Sequence, residues 1–173
     1  MNEIFILRHG KAEEAIETKS KNDFDRKLTI EGQKRTKKLG LFFNSLEESI
    51  DLVLASSYLR AKETAEIFVD NQNVKPKLEI VEFLSAGSSI REIAKGLLDY
   101  QHINKVLLVG HVPDLELFLG KLIGAESVGL KKGALAKVVL NNNINFSGRL
   151  EWLITSLIVK NIKLKDKEVT TTD

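Results

Sequence analysis

Two arginines and two histidines stand at the ends of three apolar runs of this chain. Arg8 and His9 end the first run, His111 follows another, and Arg60 lies a few residues beyond a third. An arginine guanidinium is a planar fork that pairs with two phosphoryl oxygens, so it orients a phosphate dianion as well as neutralising it. A histidine between such cations has its charged form disfavoured and keeps a lone pair that can attack phosphorus. These residue types predict phosphoryl transfer.

The predicted reaction runs through a phosphohistidine intermediate on His9. Arg8, Arg60 and His111 bind the phosphoryl group and offset its charge, and water then releases inorganic phosphate. Arg-His-Gly alone is a weak signal, because a lone buried histidine is commonly a hydrogen-bonded core residue. The joint pattern is more specific, since three separate runs end in the groups that a phosphate needs.

The apolar runs, which begin at Ile4, Leu52 and Val106, are typical of strands buried on both faces of a parallel sheet. The carboxyl ends of parallel strands meet at one sheet edge, and ligands bind outside that edge. His9 and His111 are therefore expected to lie together there. Right-handed crossovers are expected to place consecutive strands side by side.

Amphipathic helices are predicted between and after these strands. They are a helix from an N-cap at Thr29 to about Leu46, a helix with Arg60 in its first turn, a helix capped by Ser89 and Glu92, and a helix behind Pro113. Two later segments, Ala134–Leu140 and Arg149–Ser156, predict a C-terminal antiparallel hairpin at one sheet edge. The pattern predicts an α/β fold, a three-layer α/β/α sandwich with a mostly parallel central sheet.

Length and composition indicate one globular domain. Of the 173 residues, 43% are hydrophobic and 29% charged, and we assign 1–160 to a single domain and 161–173 to a polar tail. A net charge of +2 gives no reason to expect nucleic acid as a partner. No segment has the pattern of a signal peptide or the length of a membrane span, so a cytoplasmic protein without membrane contact is expected.

The chain contains no cysteine, which excludes cysteine-dependent phosphatase chemistry. It has no Walker loop and no paired acidic metal site, so magnesium-dependent nucleotide hydrolysis is disfavoured. We expect neither a metal nor a cofactor. The charged loop 11–27 could guide an acidic phosphoprotein, or it could simply be a solvated loop with balanced charges. The cations of this loop are Lys11, Lys19, Lys21, Arg26 and Lys27.

Four segments resemble the histidine phosphatase superfamily, whose signature is the Arg-His-Gly turn after the first strand. The match is closer to the small SixA-type phosphohistidine phosphatases and covers about residues 2–156. The matching segments are Ile6–Ala12, Arg26–Thr29 with Gly32, Ser56–Thr64 and Val109–Pro113. The resemblance implies the α/β/α sandwich of the family, His9 as the phosphorylated nucleophile, and Arg8, Arg60 and His111 as phosphoryl ligands.

The chain departs from the larger members of this family at the position of their lid. Those members carry an insertion whose carboxylic acid protonates an alkoxide leaving group, whereas here only Glu79–Ser89 occupies that place. Glu82 is the nearest candidate for a proton donor, and a simply solvated carboxylate is the alternative. A protonated phosphohistidine leaves as neutral imidazole and needs less help from an acid than a sugar alkoxide does.

The leading hypothesis is a phosphatase that acts on phosphohistidine of a signalling or phosphocarrier protein, because an uncapped site admits a protein surface. Two alternatives remain open. One is a general phosphatase of small phosphate esters, and the other is a module that binds a phosphorylated partner without turnover.

Overall fold

The computed structural model describes residues 1–14, 22–142 and 144–162. Its strands are β1 (Glu3–Arg8), β2 (Leu52–Ala55), β3 (Lys77–Ile80), β4 (Lys105–Gly110), β5 (Leu135–Asn142) and β6 (Ser147–Ile154). Its helices are α1 (Ile30–Asn44), α2 (Leu59–Asp70), α3 (Ile90–Leu97), α4 (Asp114–Ile123) and α5 (Ser156–Asn161). The predicted helices are confirmed to within a few residues at their ends, and α5 is an addition that the pattern did not predict.

The strands form one sheet in the order β3-β2-β4-β1-β5-β6. The pairs among β1 to β4 are parallel, and β5 pairs antiparallel with both β1 and β6, which confirms the mostly parallel sheet with a C-terminal hairpin at one edge. The expectation that consecutive strands lie side by side is wrong for β1 and β2, which β4 separates, and for β3 and β4, which β2 separates. β4 is apolar and almost wholly buried, so it suits a central position.

Helices cover both faces of the sheet. Because side chains alternate along a strand, Phe5 and Leu7 of β1 pack in a core with residues of α1 and α2. Ile4 and Ile6 pack in a second core with residues of α3 and α4. These two cores confirm the three-layer α/β/α sandwich.

The first turn of α1 packs against the backbone that leaves β1. The Thr29 hydroxyl accepts the Gly32 N–H at 3.0 Å, and the Thr29 backbone N–H donates to the carbonyl of Lys11 at 2.9 Å. A Cβ atom at Gly32 would overlap this same carbonyl, so a side chain there would displace the helix or the loop. The contact holds the segment that follows His9 against α1.

The end of the chain differs from the prediction. The second strand of the hairpin was predicted to reach Ser156, but β6 ends at Ile154 and α5 begins at Ser156. Residues 163–173 of the predicted tail lie outside the described residues, as do Lys19 and Lys21 of the charged loop. The assignment of 1–160 as one domain stays a prediction. Within the described ranges, no helix combines the length and apolar character that crossing a membrane requires.

Candidate active site

The carboxyl ends of β1 and β4 bring both histidines to one edge of the sheet. Arg8 pairs with Gly110 in the parallel register, and the His9 backbone N–H donates to the Gly110 carbonyl at 3.0 Å. The ring centroids of His9 and His111 are 5.2 Å apart. Arg60, in the first turn of α2, donates from Nε to His9 Nε2 at 3.3 Å. Arg8 lies close enough for its charge to act on both imidazoles, so the structure brings together the four side chains that the sequence singled out.

One hydrogen bond determines the tautomer of His9. Its Nδ1 lies 2.8 Å from the carbonyl oxygen of Gly10, and because a carbonyl oxygen only accepts, Nδ1 carries the proton. In the neutral ring, Nε2 therefore has the lone pair, and this is the nitrogen that faces Arg60. A nucleophilic nitrogen thus lies beside a guanidinium that can hold a phosphoryl oxygen.

Both imidazoles are neutral at physiological pH. Burial is the largest cause that lowers the pKa of His9 to about 3; the hydrogen bond to Gly10 opposes it, and the charges of His111, Arg60 and Arg8 add to it. Burial likewise lowers the pKa of His111 to about 4, with a further contribution from Arg60. The sequence predicts lowered pKa values from like charges alone, but the loss of solvent lowers both pKa values more than those charges do.

Asp23 is a residue of this site that the sequence analysis missed. Its carboxylate accepts from Arg60 Nη2 at 2.9 Å, and its backbone carbonyl accepts from Arg60 Nη1 at 2.7 Å. Partial burial acts to raise the pKa of Asp23, but hydrogen bonds from Arg26 and Arg60 outweigh it and hold that pKa below its ordinary value. Asp23 is thus a carboxylate at neutral pH, and it holds the far end of the Arg60 guanidinium while Nε points to His9.

Arg8 is anchored by the segment that precedes β5. Its Nη1 donates to the Leu130 carbonyl at 2.8 Å, and Glu116 fixes the same segment by accepting the Leu130 N–H at 2.7 Å. The Nε of Arg8 is buried and has no hydrogen-bond partner among the described residues. Arg8 therefore retains one donor beyond the group that anchors it, and a buried donor without an acceptor is unfavourable.

Aromatic side chains form one wall of the site. The Tyr58 ring centroid lies 4.9 Å from that of His111 and 5.0 Å from that of Phe24, and the Arg60 guanidinium carbon lies 5.0 Å from the centre of the Tyr58 ring. Phe24 is 39% exposed. The wall therefore continues outwards from the buried histidines as an apolar surface.

Glu82 lies near the same sheet edge but outside the cluster. It begins the 3₁₀ turn after β3, is exposed, and accepts from Ser57 at 3.3 Å and from Ser85 at 3.0 Å. In the described part of the chain, none of its hydrogen bonds joins it to the two histidines or the two arginines. The carboxylate in direct contact with the cluster is that of Asp23. The role of Glu82 as a proton donor stays a prediction.

The described cations of the charged loop are paired within the chain. The pairs are Lys11–Glu31 at 2.6 Å, Arg26–Asp23 at 2.7 Å and Lys27–Glu13 at 3.7 Å. This pairing favours the alternative of a loop with balanced charges over a surface that attracts acidic partners.

The cluster is suited to an anion. The two guanidiniums present N–H donors and the neutral His9 ring presents a lone pair at Nε2, which match a phosphoryl group. Across residues 1–14, 22–142 and 144–162, no group of three histidine, aspartate or glutamate side chains is arranged so that it could hold a metal ion.

Comparison with known proteins finds relatives along nearly the whole chain. Residues 4–85 match the model of the histidine phosphatase superfamily (branch 1). Phosphohistidine phosphatase SixA of Escherichia coli (strain K12) is 26% identical over 164 residues, which cover 93% of this chain and 98% of that protein. An uncharacterized protein of Picosynechococcus sp. is 31% identical over 115 residues, which cover 65% of this chain and 68% of that protein.

Solved structures share the fold. A protein histidine phosphatase SixA complexed with tungstate has a TM-score of 0.80 at 24% identity and covers 91% of this chain and 99% of its own. The α-ribazole phosphatase of Shigella flexneri has a TM-score of 0.71 at 17% identity and covers 89% of this chain and 96% of its own. The same sandwich therefore occurs in phosphatases named for a protein substrate and for a small molecule.

Proposed function

Because the chain belongs to the histidine phosphatase superfamily, we propose that it transfers a phosphoryl group to His9 and then to water. The proposed substrate is phosphohistidine on a phosphotransfer or phosphocarrier protein, in the cytoplasm. The proposal rests on His9 Nε2, which carries the lone pair of the neutral ring and lies 3.3 Å from Arg60 Nε. Displacement at phosphorus requires such a nucleophile beside a cation that binds the equatorial oxygens.

In the first step, the lone pair of His9 Nε2 forms a bond to phosphorus while the P–N bond of the substrate breaks. The electron pair of that bond stays on the leaving nitrogen. A substrate imidazole that already carries a proton on its other nitrogen leaves as a neutral ring, so this step needs no separate acid. Arg8, Arg60 and His111 bind the equatorial oxygens and offset their charge.

In the second step, a water oxygen forms a bond to phosphorus while the bond between phosphorus and Nε2 breaks. The electron pair returns to Nε2, and the protons of water leave with inorganic phosphate or pass to solvent. The hydrogen bond to Gly10 keeps the proton on Nδ1 in both steps. Since the arginines supply the positive charge, we propose that no metal takes part, and activity should survive treatment with EDTA. A loss of activity that a divalent cation restores would contradict this part.

Phe24 supports a protein substrate. Its exposed ring extends the wall beside His111, where the surface around a partner's phosphohistidine would make contact. A small ester that fills only the phosphate site would not reach it. Phe24→Ala should therefore lower kcat/KM for a phosphohistidine protein by roughly tenfold and leave kcat/KM for a small alkyl phosphate unchanged. Val74→Ala is the matched control, because Val74 is an exposed apolar residue just before β3. It lies at the amino ends of the parallel strands, away from the site.

The deciding experiment compares phosphate release from histidine-phosphorylated phosphotransfer and phosphocarrier proteins with release from sugar and aryl phosphates. We expect the highest kcat/KM for a phosphohistidine protein, and a preference for the small esters would establish the general phosphatase instead. An acid-labile phosphoryl label should form on the enzyme and be absent in His9→Ala. Tight phosphate binding without any such label in the unaltered protein would identify a binding module.

A further inference from the structure

Ser56 makes two hydrogen bonds just beyond the carboxyl end of β2. It is fully buried, its Oγ accepts the backbone N–H of Tyr58 at 3.2 Å, and the same Oγ lies 2.8 Å from Nε2 of His111. The other ring nitrogen of His111, Nδ1, is buried and has no hydrogen-bond partner among the described residues. The placement of the protons in this pair decides what His111 can offer to a ligand.

Two proton arrangements exist, and they differ in their unsatisfied groups. If Ser56 donates to Nε2, its hydroxyl both donates and accepts, and neutral His111 carries its proton on Nδ1. If Nε2 donates instead, the buried hydroxyl proton has no acceptor, since in the described part of the chain Ser56 Oγ bonds only to Tyr58 and His111. The first arrangement leaves only the Nδ1 N–H of His111 without a partner, whereas the second leaves both the hydroxyl proton and the Nδ1 lone pair without one. Unsatisfied buried polar groups are unfavourable, so the first arrangement is the more stable.

The tautomer matters because His111 is neutral. Burial lowers the pKa of His111 to about 4, so near neutral pH the ring has one N–H and one lone pair. With Nε2 engaged by Ser56, Nδ1 is the nitrogen left for a phosphoryl oxygen. A lone pair at Nδ1 would repel that oxygen, whereas an N–H group would donate a hydrogen bond to it.

We propose that Ser56 is a positioning residue that donates its hydroxyl proton to His111 Nε2 and so holds the ring as the Nδ1–H tautomer, which donates to a phosphoryl oxygen. The tautomer is a property of the free protein. Its use in phosphoryl transfer rests on the proposed function.

Nitrogen NMR of the protein with isotopically labelled histidine tests the tautomer, because protonated and unprotonated ring nitrogens resonate far apart. The signals of His111 are those that disappear in His111→Gln. At neutral pH we expect a protonated Nδ1 and an unprotonated Nε2 in the unaltered protein. Ser56→Ala should populate the Nε2–H form, and Ser56→Thr, which keeps a hydroxyl, should restore the Nδ1–H form. Ser156→Ala is the matched control, since it removes a buried hydroxyl that bonds to the Lys132 carbonyl instead.

Calorimetric titration with inorganic phosphate tests the consequence. Ser56→Ala should weaken phosphate binding roughly tenfold, which is about the loss expected for one hydrogen bond to an anion, and Ser156→Ala should leave it unchanged. An Nε2–H ring in the unaltered protein, or an unchanged phosphate affinity in Ser56→Ala, would overturn the proposal. If the protein hydrolyses none of the tested phosphates, the proposed function fails, but the tautomer and the phosphate affinity still test Ser56 independently.

Discussion

Mild acid should destabilise this fold through its two buried histidines. A histidine in an unfolded chain titrates near 6.5, whereas burial lowers the pKa of His9 to about 3 and that of His111 to about 4 in the folded protein. Below about pH 6.5 the unfolded chain therefore binds protons that the folded chain does not bind. The stability that neutral imidazoles confer is complete above that pH and is lost as the pH falls toward the folded pKa values.

The magnitude follows from proton linkage. Below about pH 6.5, each of these histidines lowers the free energy of unfolding by about 1.4 kcal/mol per pH unit. A fall from about pH 7.5 to about pH 5 crosses about 1.5 units of that range, so it removes about 2 kcal/mol for each histidine and about 4 kcal/mol for both. Domains are stable by about 5–15 kcal/mol, so this loss is a large share. Urea unfolding at the two pH values, followed by far-ultraviolet circular dichroism in buffers without phosphate, measures it.

His9→Gln and His111→Gln are the matched variants, because glutamine is polar but does not titrate. Each should reduce the loss of stability between the two pH values by about 2 kcal/mol, and the double variant by about 4 kcal/mol. Carboxylates titrate in all four proteins and cancel in the comparison. An identical pH dependence in the unaltered protein and in His9→Gln would show that His9 is charged or solvated in the folded state. His9 would then not be a neutral nucleophile.

Three further substitutions test the anchors of the site. Arg60→Lys should lower kcat/KM by roughly a hundredfold with an unchanged circular dichroism spectrum. The reason is that one ammonium group cannot keep the contacts to both His9 and Asp23. Near-normal turnover would show that positive charge alone suffices. Asp23→Asn should raise KM roughly tenfold in steady-state assays because Arg60 loses its charged partner. A lower KM would instead show that Asp23 competes with the phosphate for Arg60. Gly32→Ala should lower the free energy of unfolding, measured in urea, by about 2 kcal/mol, because the new Cβ overlaps the Lys11 carbonyl. An unchanged value would mean that α1 shifts without any loss of stability.

The fold could be predicted where apolar runs end abruptly in polar residues, as they do at Arg8 and at His111. Both runs are buried strands, and the edge at which they end holds the candidate site. The order of the strands could not be predicted in the same way. The crossover rule determines handedness, but it does not say that β1 and β2 leave a gap between them that a later strand fills.

The partners of the site residues were harder to predict, because each depends on a contact between distant parts of the chain. Asp23 is one of several acids in a charged loop, and nothing in its spacing distinguishes it from Asp25. One signal was present, since Asp23 lies three residues before Arg26, which opens a segment that resembles the family. Ser56 and Ser57 are adjacent in sequence, and only the direction of each side chain beyond β2 shows that the first one contacts His111.

The histidines and the arginines of the candidate site are held by different parts of the fold. Both imidazoles are held by groups at strand ends, whereas Arg60 is held by Asp23 and Arg8 by Leu130, which belong to segments outside the sheet. In phosphoryl transfer, the nucleophilic nitrogen must keep its direction toward phosphorus within narrow limits, because a small misplacement slows the reaction strongly. The donors that bind the equatorial oxygens must likewise be in place before the charge on those oxygens develops. If the proposed function is correct, the Gly10 carbonyl fixes the direction of the His9 ring, and the contacts to Asp23 and Leu130 hold the two guanidiniums in place.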